Sequence, residues 1–192
     1  NFIIKNIKNN KIYIYAILSF ISVYVLLSSE LIYLLVWQIK GAGNQILLFW
    51  DWNHVIDANL CFKKGKDVYV NNICDQMGIN FIYGKLMLFI PFMDYLEGFY
   101  RNYLPFILSF ILILSLFKII NKNKNHIFFT LLLIFSPSTL LLIERSNIDL
   151  IIFLFAIIII FNKNLKLSFF LTIFSAFFKF FSILLSIKFL FS

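Results

Sequence analysis

Phe49-Trp50-Asp51-Trp52-Asn53-His54 sets one carboxylate between two indoles, an arrangement suited to a general base. Partial desolvation raises the pKa of a carboxyl toward the working range, and an aromatic face can hold a sugar ring by its apolar side. The plain alternative is that the tryptophans anchor the chain at a membrane surface and the acid is solvated. Asp57 follows on the same broad helical face as Asp51 and His54, so the three can converge. Two carboxylates suggest a hydrolase pair and, with His54, a metal site, but no recognised ligand motif accompanies them. A second group is Glu144, Arg145 and Asn147, in Glu144-Arg145-Ser146-Asn147-Ile148-Asp149. Arginine grips a phosphate through its planar fork and Glu144 can orient it; the alternative is an ion pair closing a hairpin. Lys179 is a third cation, suited to a phosphate or pyrophosphate or, more simply, to snorkelling.

These residues must be positioned by membrane helices. The chain of 192 residues is 61% hydrophobic and 14% charged, with a mean hydropathy of +0.90. That is the profile of an all-α integral membrane protein, not of a soluble domain. The net charge of +8 brings nucleic acid to mind, but the lysines bracket apolar runs, so a topological role is expected and no nucleic-acid partner. The 26 Phe and the Lys/Asn clusters fit AT-rich codon usage and carry no sequence-specific role.

A crossing takes about 20 apolar residues. The runs predict about five spans in a single membrane domain, 1–192: 12–37, 103–120, 127–143, 147–161 and 168–192. Between the first two lies a large loop, 38–102, in which Trp50–Leu60 reads as a short helix and Lys63–Asp67 as a turn. Phe81–Tyr100 reads as one or two helices lying on the bilayer. Pro137 should kink the third span. The legs of the hairpin Ile127–Phe161 are too short to cross fully, so its polar turn sits at or slightly below the surface, lining protein or a wet cavity. Lys179 near the middle of the last run implies either one span with a partnered lysine or two segments breaking there. The chain starts at Asn1 and stops at the edge of an apolar run, and it is expected to be a piece of a longer protein.

Charge divides these connections cleanly. Lys5, Lys8, Lys11, Lys118, Lys122, Lys124, Lys163 and Lys166 lie on one side with no acid among them. All nine acids, Glu30, Asp51, Asp57, Asp67, Asp75, Asp94, Glu97, Glu144 and Asp149, fall on the other. Basic short loops stay cytoplasmic, so the acid-bearing side faces outward. Cys61 and Cys74 share the outward loop, where a disulfide and two free thiols both remain open. Phosphate-loop, CxxC, HExxH, GxSxG and DxD patterns are absent from the sequence, which counts against a cytosolic nucleotide-dependent enzyme.

Three stretches carry a resemblance. Trp50-Asp51-Trp52 leads through Ala58 and Gly65 to Asp67-Val68-Tyr69; Ser136-Pro137 precedes Glu144-Arg145-Ser146-Asn147-Ile148-Asp149-Leu150; and Ala176-Phe177-Phe178-Lys179-Phe180-Phe181 follows. In order and spacing they resemble the Asp-aromatic segment with Gly-x-x-x-Tyr, the Arg-Gly hairpin turn and the Lys-aromatic-Pro segment of polyprenyl-phosphate-dependent C-type-fold membrane glycosyltransferases, similar to glycosyltransferase family 87. Ser146 stands where that family has Gly, and no Pro follows Lys179. The resemblance implies inverting transfer of a hexose, mannosyltransferase-like, from a polyprenyl-phosphate donor to a lipid or glycan acceptor. It implies Asp51 as general base, with Trp52, Asp57, Tyr69, Glu144, Arg145, Asn147 and Lys179 binding substrate. No cofactor or metal is implied. Membrane lipids, donor and acceptor are the expected partners, and the bacterial inner membrane, active site outward, the expected location. The alternatives are a non-catalytic transporter or flippase module for lipid-linked glycans, and an oligosaccharide polymerase or ligase.

Overall fold

The computed structural model describes residues 2–29, 48–70, 72–75, 78–89, 93–120, 126–146, 148–162 and 164–178. Among them every regular element is helical: α1 (Phe2–Ser28), α2 (Trp50–Lys63), a 3-10 turn (Lys85–Phe89), α3 (Met93–Asn102), α4 (Leu104–Ile120), α5 (His126–Ile134), α6 (Pro137–Arg145), α7 (Ile148–Phe161) and α8 (Leu165–Phe178). The proposed extension 31–37, Asn147 and Lys179 with the rest of the last run lie outside the described residues.

Among the described residues one helix, Lys11–Ser28, is by itself long and apolar enough to cross a membrane, and two bent pairs bring the number to three if each is one span. Its 18 residues cover about 27 Å at about 1.5 Å per residue. Ala16, Ser19, Val23 and Leu27 form the buried stripe, while Ile14, Ile17, Leu18, Ile21 and Val25 are exposed. A helix apolar on every face is what a lipid environment selects. The expected kink at Pro137 takes the form of a break: α5 and α6 meet at 54°. Proline has no N–H to give the preceding turn, so it opens α6 instead. Ser136 caps it, its Oγ accepting the Thr139 N–H at 3.3 Å. The helix α7, 14 residues, extends about 21 Å, short of a full crossing, and the described part of α8 has the same length.

The chain forms two compact units. The first comprises Asn1–Phe49 and Phe106–Arg145. In it α1 and α4 run antiparallel, shown by Tyr15 against Phe117 (6.4 Å between centroids), Phe20 against Phe110 (5.4 Å) and Tyr24 against Phe106 (4.6 Å). At one end the Lys118 ammonium lies 5.4 Å over the Tyr13 ring. The residues from Tyr13 to Tyr24 rise about 16 Å, so the Tyr24–Phe106 end is well separated from the lysine end.

The second unit comprises Trp50–Pro105 and Ser146–Ser192. Its apolar part is the hairpin of α7 and α8. Asn164 caps α8, accepting the N–H groups of Lys166 (3.1 Å) and Leu167 (3.3 Å). Ser168, Thr172 and Ser175 make a buried stripe on α8. Such small residues allow close helix approach. Their hydroxyls donate to backbone carbonyls of Ile159, Ser168 and Thr172, which leaves no polar group unsatisfied at that contact.

Candidate functional site

The chain enters α2 through Phe49, whose φ of 62° lies in the left-handed region. A bulky residue is rarely found there, because Cβ crowds the carbonyl oxygen. It is held from two sides. The Phe49 N–H donates to the Glu144 carbonyl at 2.7 Å, and the buried ring packs edge-on to Phe106 at 4.9 Å and to Tyr24 at 6.2 Å. Within the first unit, then, the residue that precedes Trp50-Asp51 is bonded to the residue that precedes Arg145. This happens at the end of α1 and α4 remote from Lys118. At the other side of Arg145, Ser146 also has a positive φ, 46°. That is the backbone form that glycine serves most readily.

Asp51 is half-buried in the first turn of α2, where the unpaired N–H groups of a helix favour negative charge. Trp50 and Trp52 are both buried. The Trp52 indole N–H donates to the Tyr100 carbonyl at 2.8 Å, so this ring fastens α3 to α2. Asp57 and His54 each have a partner from a distant segment. Arg101 bonds Asp57 at 2.8 Å and Glu97 at 3.0 Å. His54 Nδ1 lies 2.7 Å from Asp75 Oδ1, with both side chains buried, and the other Asp75 oxygen accepts the Ile79 N–H at 2.9 Å. Among the described residues no group of three or more His, Cys, Asp or Glu is arranged to hold a metal ion.

The segment after α2 is stapled to it. Gly65, at φ 75°, closes the helix: its N–H donates to the Phe62 carbonyl, and the Lys66 N–H to the Cys61 carbonyl. Cys61 and Cys74 form a disulfide with Cα atoms 5.8 Å apart, within the usual range for such bridges. The Asp67 carboxylate accepts the Tyr69 N–H at 2.9 Å, a local Asx turn. Tyr69 is 40% exposed and packs its ring against buried Phe81 at 5.6 Å. Burial and the neighbouring Asp67 charge raise its phenol above the usual pKa. Of the expected substrate-binding side chains among the described residues, Tyr69 is the one most open to solvent.

Glu144 is buried and Arg145 half-buried at the C-terminus of α6. Both belong to the first unit, whereas Asp51, Trp52, Asp57 and Tyr69 belong to the second. Asn147 and Lys179 lie outside the described residues. Arg101, Asp75 and Phe49 were not singled out in the sequence. Arg101 does stand four residues after Glu97, a helical ion-pair spacing that signals it. The left-handed backbone of Phe49 has no counterpart in residue type.

No family model, no curated protein and no solved structure matches this chain.

Proposed function

We propose that this chain is part of a membrane glycosyltransferase of C-type fold that moves a sugar from a polyprenyl-phosphate donor to a lipid or glycan acceptor on the outer face. The observation that carries the reading is the 2.7 Å bond from the Phe49 N–H to the Glu144 carbonyl. It ties the backbone leading into Asp51 to the backbone leading into Arg145, at the end of the first unit away from Lys118. The left-handed Ser146 supports the likeness of the Arg145 turn to the glycine-bearing turn of the family. The Cys61–Cys74 disulfide favours an oxidising compartment for the loop and so supports the outward orientation.

In this reading Asp51 takes the proton of the acceptor hydroxyl as its oxygen attacks the anomeric carbon. The bond from that carbon to the phosphate oxygen breaks on the opposite side, and the configuration inverts. Arg145 and Lys179 bind the departing polyprenyl phosphate, whose negative charge grows as the bond breaks. Tyr69 offers an exposed ring and hydroxyl to an acceptor sugar.

The test uses the full-length protein in liposomes with a polyprenyl-phospho-hexose donor and a glycolipid acceptor. Wild type should yield the transferred product and Asp51→Asn should not. Transfer retained by Asp51→Asn removes the assigned base. Movement of lipid-linked glycan across the bilayer without any transfer product establishes the transporter reading.

A further inference from the structure

The helix α3 turns its polar side to the protein and its aromatic side away from it. Glu97 and Arg101 share one stripe, and Arg101 bonds Asp57 of α2 at 2.8 Å while the Trp52 indole donates to the Tyr100 carbonyl at 2.8 Å. Phe99 and Tyr103 lie about 200° round the helix from that stripe. Their rings stack at 6.2 Å, and they are 42% and 63% exposed. Leu96, at a kink in α3 where its φ/ψ of −115°/16° leaves the helical region, and Tyr95 just before it are also exposed. A surface helix in water shows the reverse distribution.

The backbone leads this stripe into an apolar helix. The Tyr103 N–H donates to the Phe99 carbonyl at 2.9 Å, and the chain passes directly from Tyr103 into the apolar sequence of α4. In α4 itself, Ile107 and Ile111 are exposed apolar residues. Tyrosines at the head of an apolar helix are what the boundary between lipid headgroups and acyl chains selects. We propose that the outward face of α3 seats in that boundary of the bilayer, and that Arg101 is the positioning residue that holds α2 onto this lipid-borne helix. The partner is a lipid surface, and the inference holds whether or not the chain transfers a sugar.

The experiment places nitroxide labels at Tyr95→Cys, Phe99→Cys and Tyr103→Cys in turn, in the full chain with its native disulfide intact, reconstituted in phosphatidylcholine–phosphatidylglycerol vesicles. Lys66→Cys, on the exposed loop, is the aqueous reference. The ratio of collisions with oxygen to collisions with a water-soluble nickel chelate should be several-fold higher at 95, 99 and 103 than at 66. Ratios equal to that at 66 overturn lipid seating. So does low collision with both reagents accompanied by spin–spin broadening that vanishes on dilution, which assigns the face to a second copy. For the latch, a label at Lys63→Cys should gain mobility in Arg101→Gln and in Asp57→Asn. The paired exchange Asp57→Arg with Arg101→Asp should restore it. Unchanged mobility in both single variants refutes the positioning role, and failure of the exchange to restore it does the same.

Discussion

Replacing Cys61 and Cys74 by serine should loosen the segment after α2 by an amount set by the loop that the disulfide closes. The two cysteines are 13 residues apart. A cross-link of that span removes about 10 cal/mol/K of chain entropy from the open state, or about 3 kcal/mol at room temperature. The opening is local, because the His54–Asp75 pair at 2.7 Å and the bond from the Phe81 N–H to the Val68 carbonyl at 2.8 Å still favour the closed loop. A change of about 3 kcal/mol multiplies the open population by on the order of 100. Hydrogen exchange reads this directly at the amides of Tyr69, Ile79 and Phe81, each of which donates a bond that opening must break. In detergent micelles these amides should exchange on the order of 100-fold faster in the double serine variant, while those of α1 and α4 are unchanged. An acceleration below about threefold refutes the entropic argument. Two free thiols at these positions in the purified protein, found by non-reducing peptide mapping, refute its premise.

Asp51→Asn should lower the rate of sugar transfer by about 10²- to 10⁴-fold, the usual contribution of a general base, with little change in donor KM; a fall confined to KM contradicts that role. Arg145→Ala should weaken donor binding by about 10- to 100-fold, as expected for a lost charged hydrogen bond, and Arg145→Lys should recover only part of it because an ammonium lacks the planar fork. Ser146→Gly should raise the unfolding free energy by about 1 kcal/mol by relieving the left-handed conformation, whereas Ser146→Val should lower it; denaturant unfolding checks both signs. Reporter fusions after Gly65 should be active only in the extracytoplasmic orientation, while fusions after Lys124 should report the cytoplasm.

The helical and strongly apolar character of this chain follows from its sequence, because hydropathy acts over whole segments and needs no tertiary partner to be read. The break at Pro137, the glycine closure of α2 and the amphipathic stretch before α4 were legible for the same reason: each rests on local backbone chemistry. Residue type alone did not assign the acids. Asp51, His54 and Asp57 share a helical face in sequence, yet Asp75 and Arg101, brought in from distant segments, turn His54 and Asp57 to structural pairing. The tryptophans read as interface or sugar-holding rings, but burial is decided by what packs on them, and Trp52 lies against the Tyr100 backbone. Most of all, the tie between the entry to α2 and the arginine turn depends on two backbone groups, Phe49 N–H and Glu144 C=O, that every residue but proline possesses. No sequence pattern marks which of them will meet; only the packing of Phe49 against Tyr24 and Phe106 decides it.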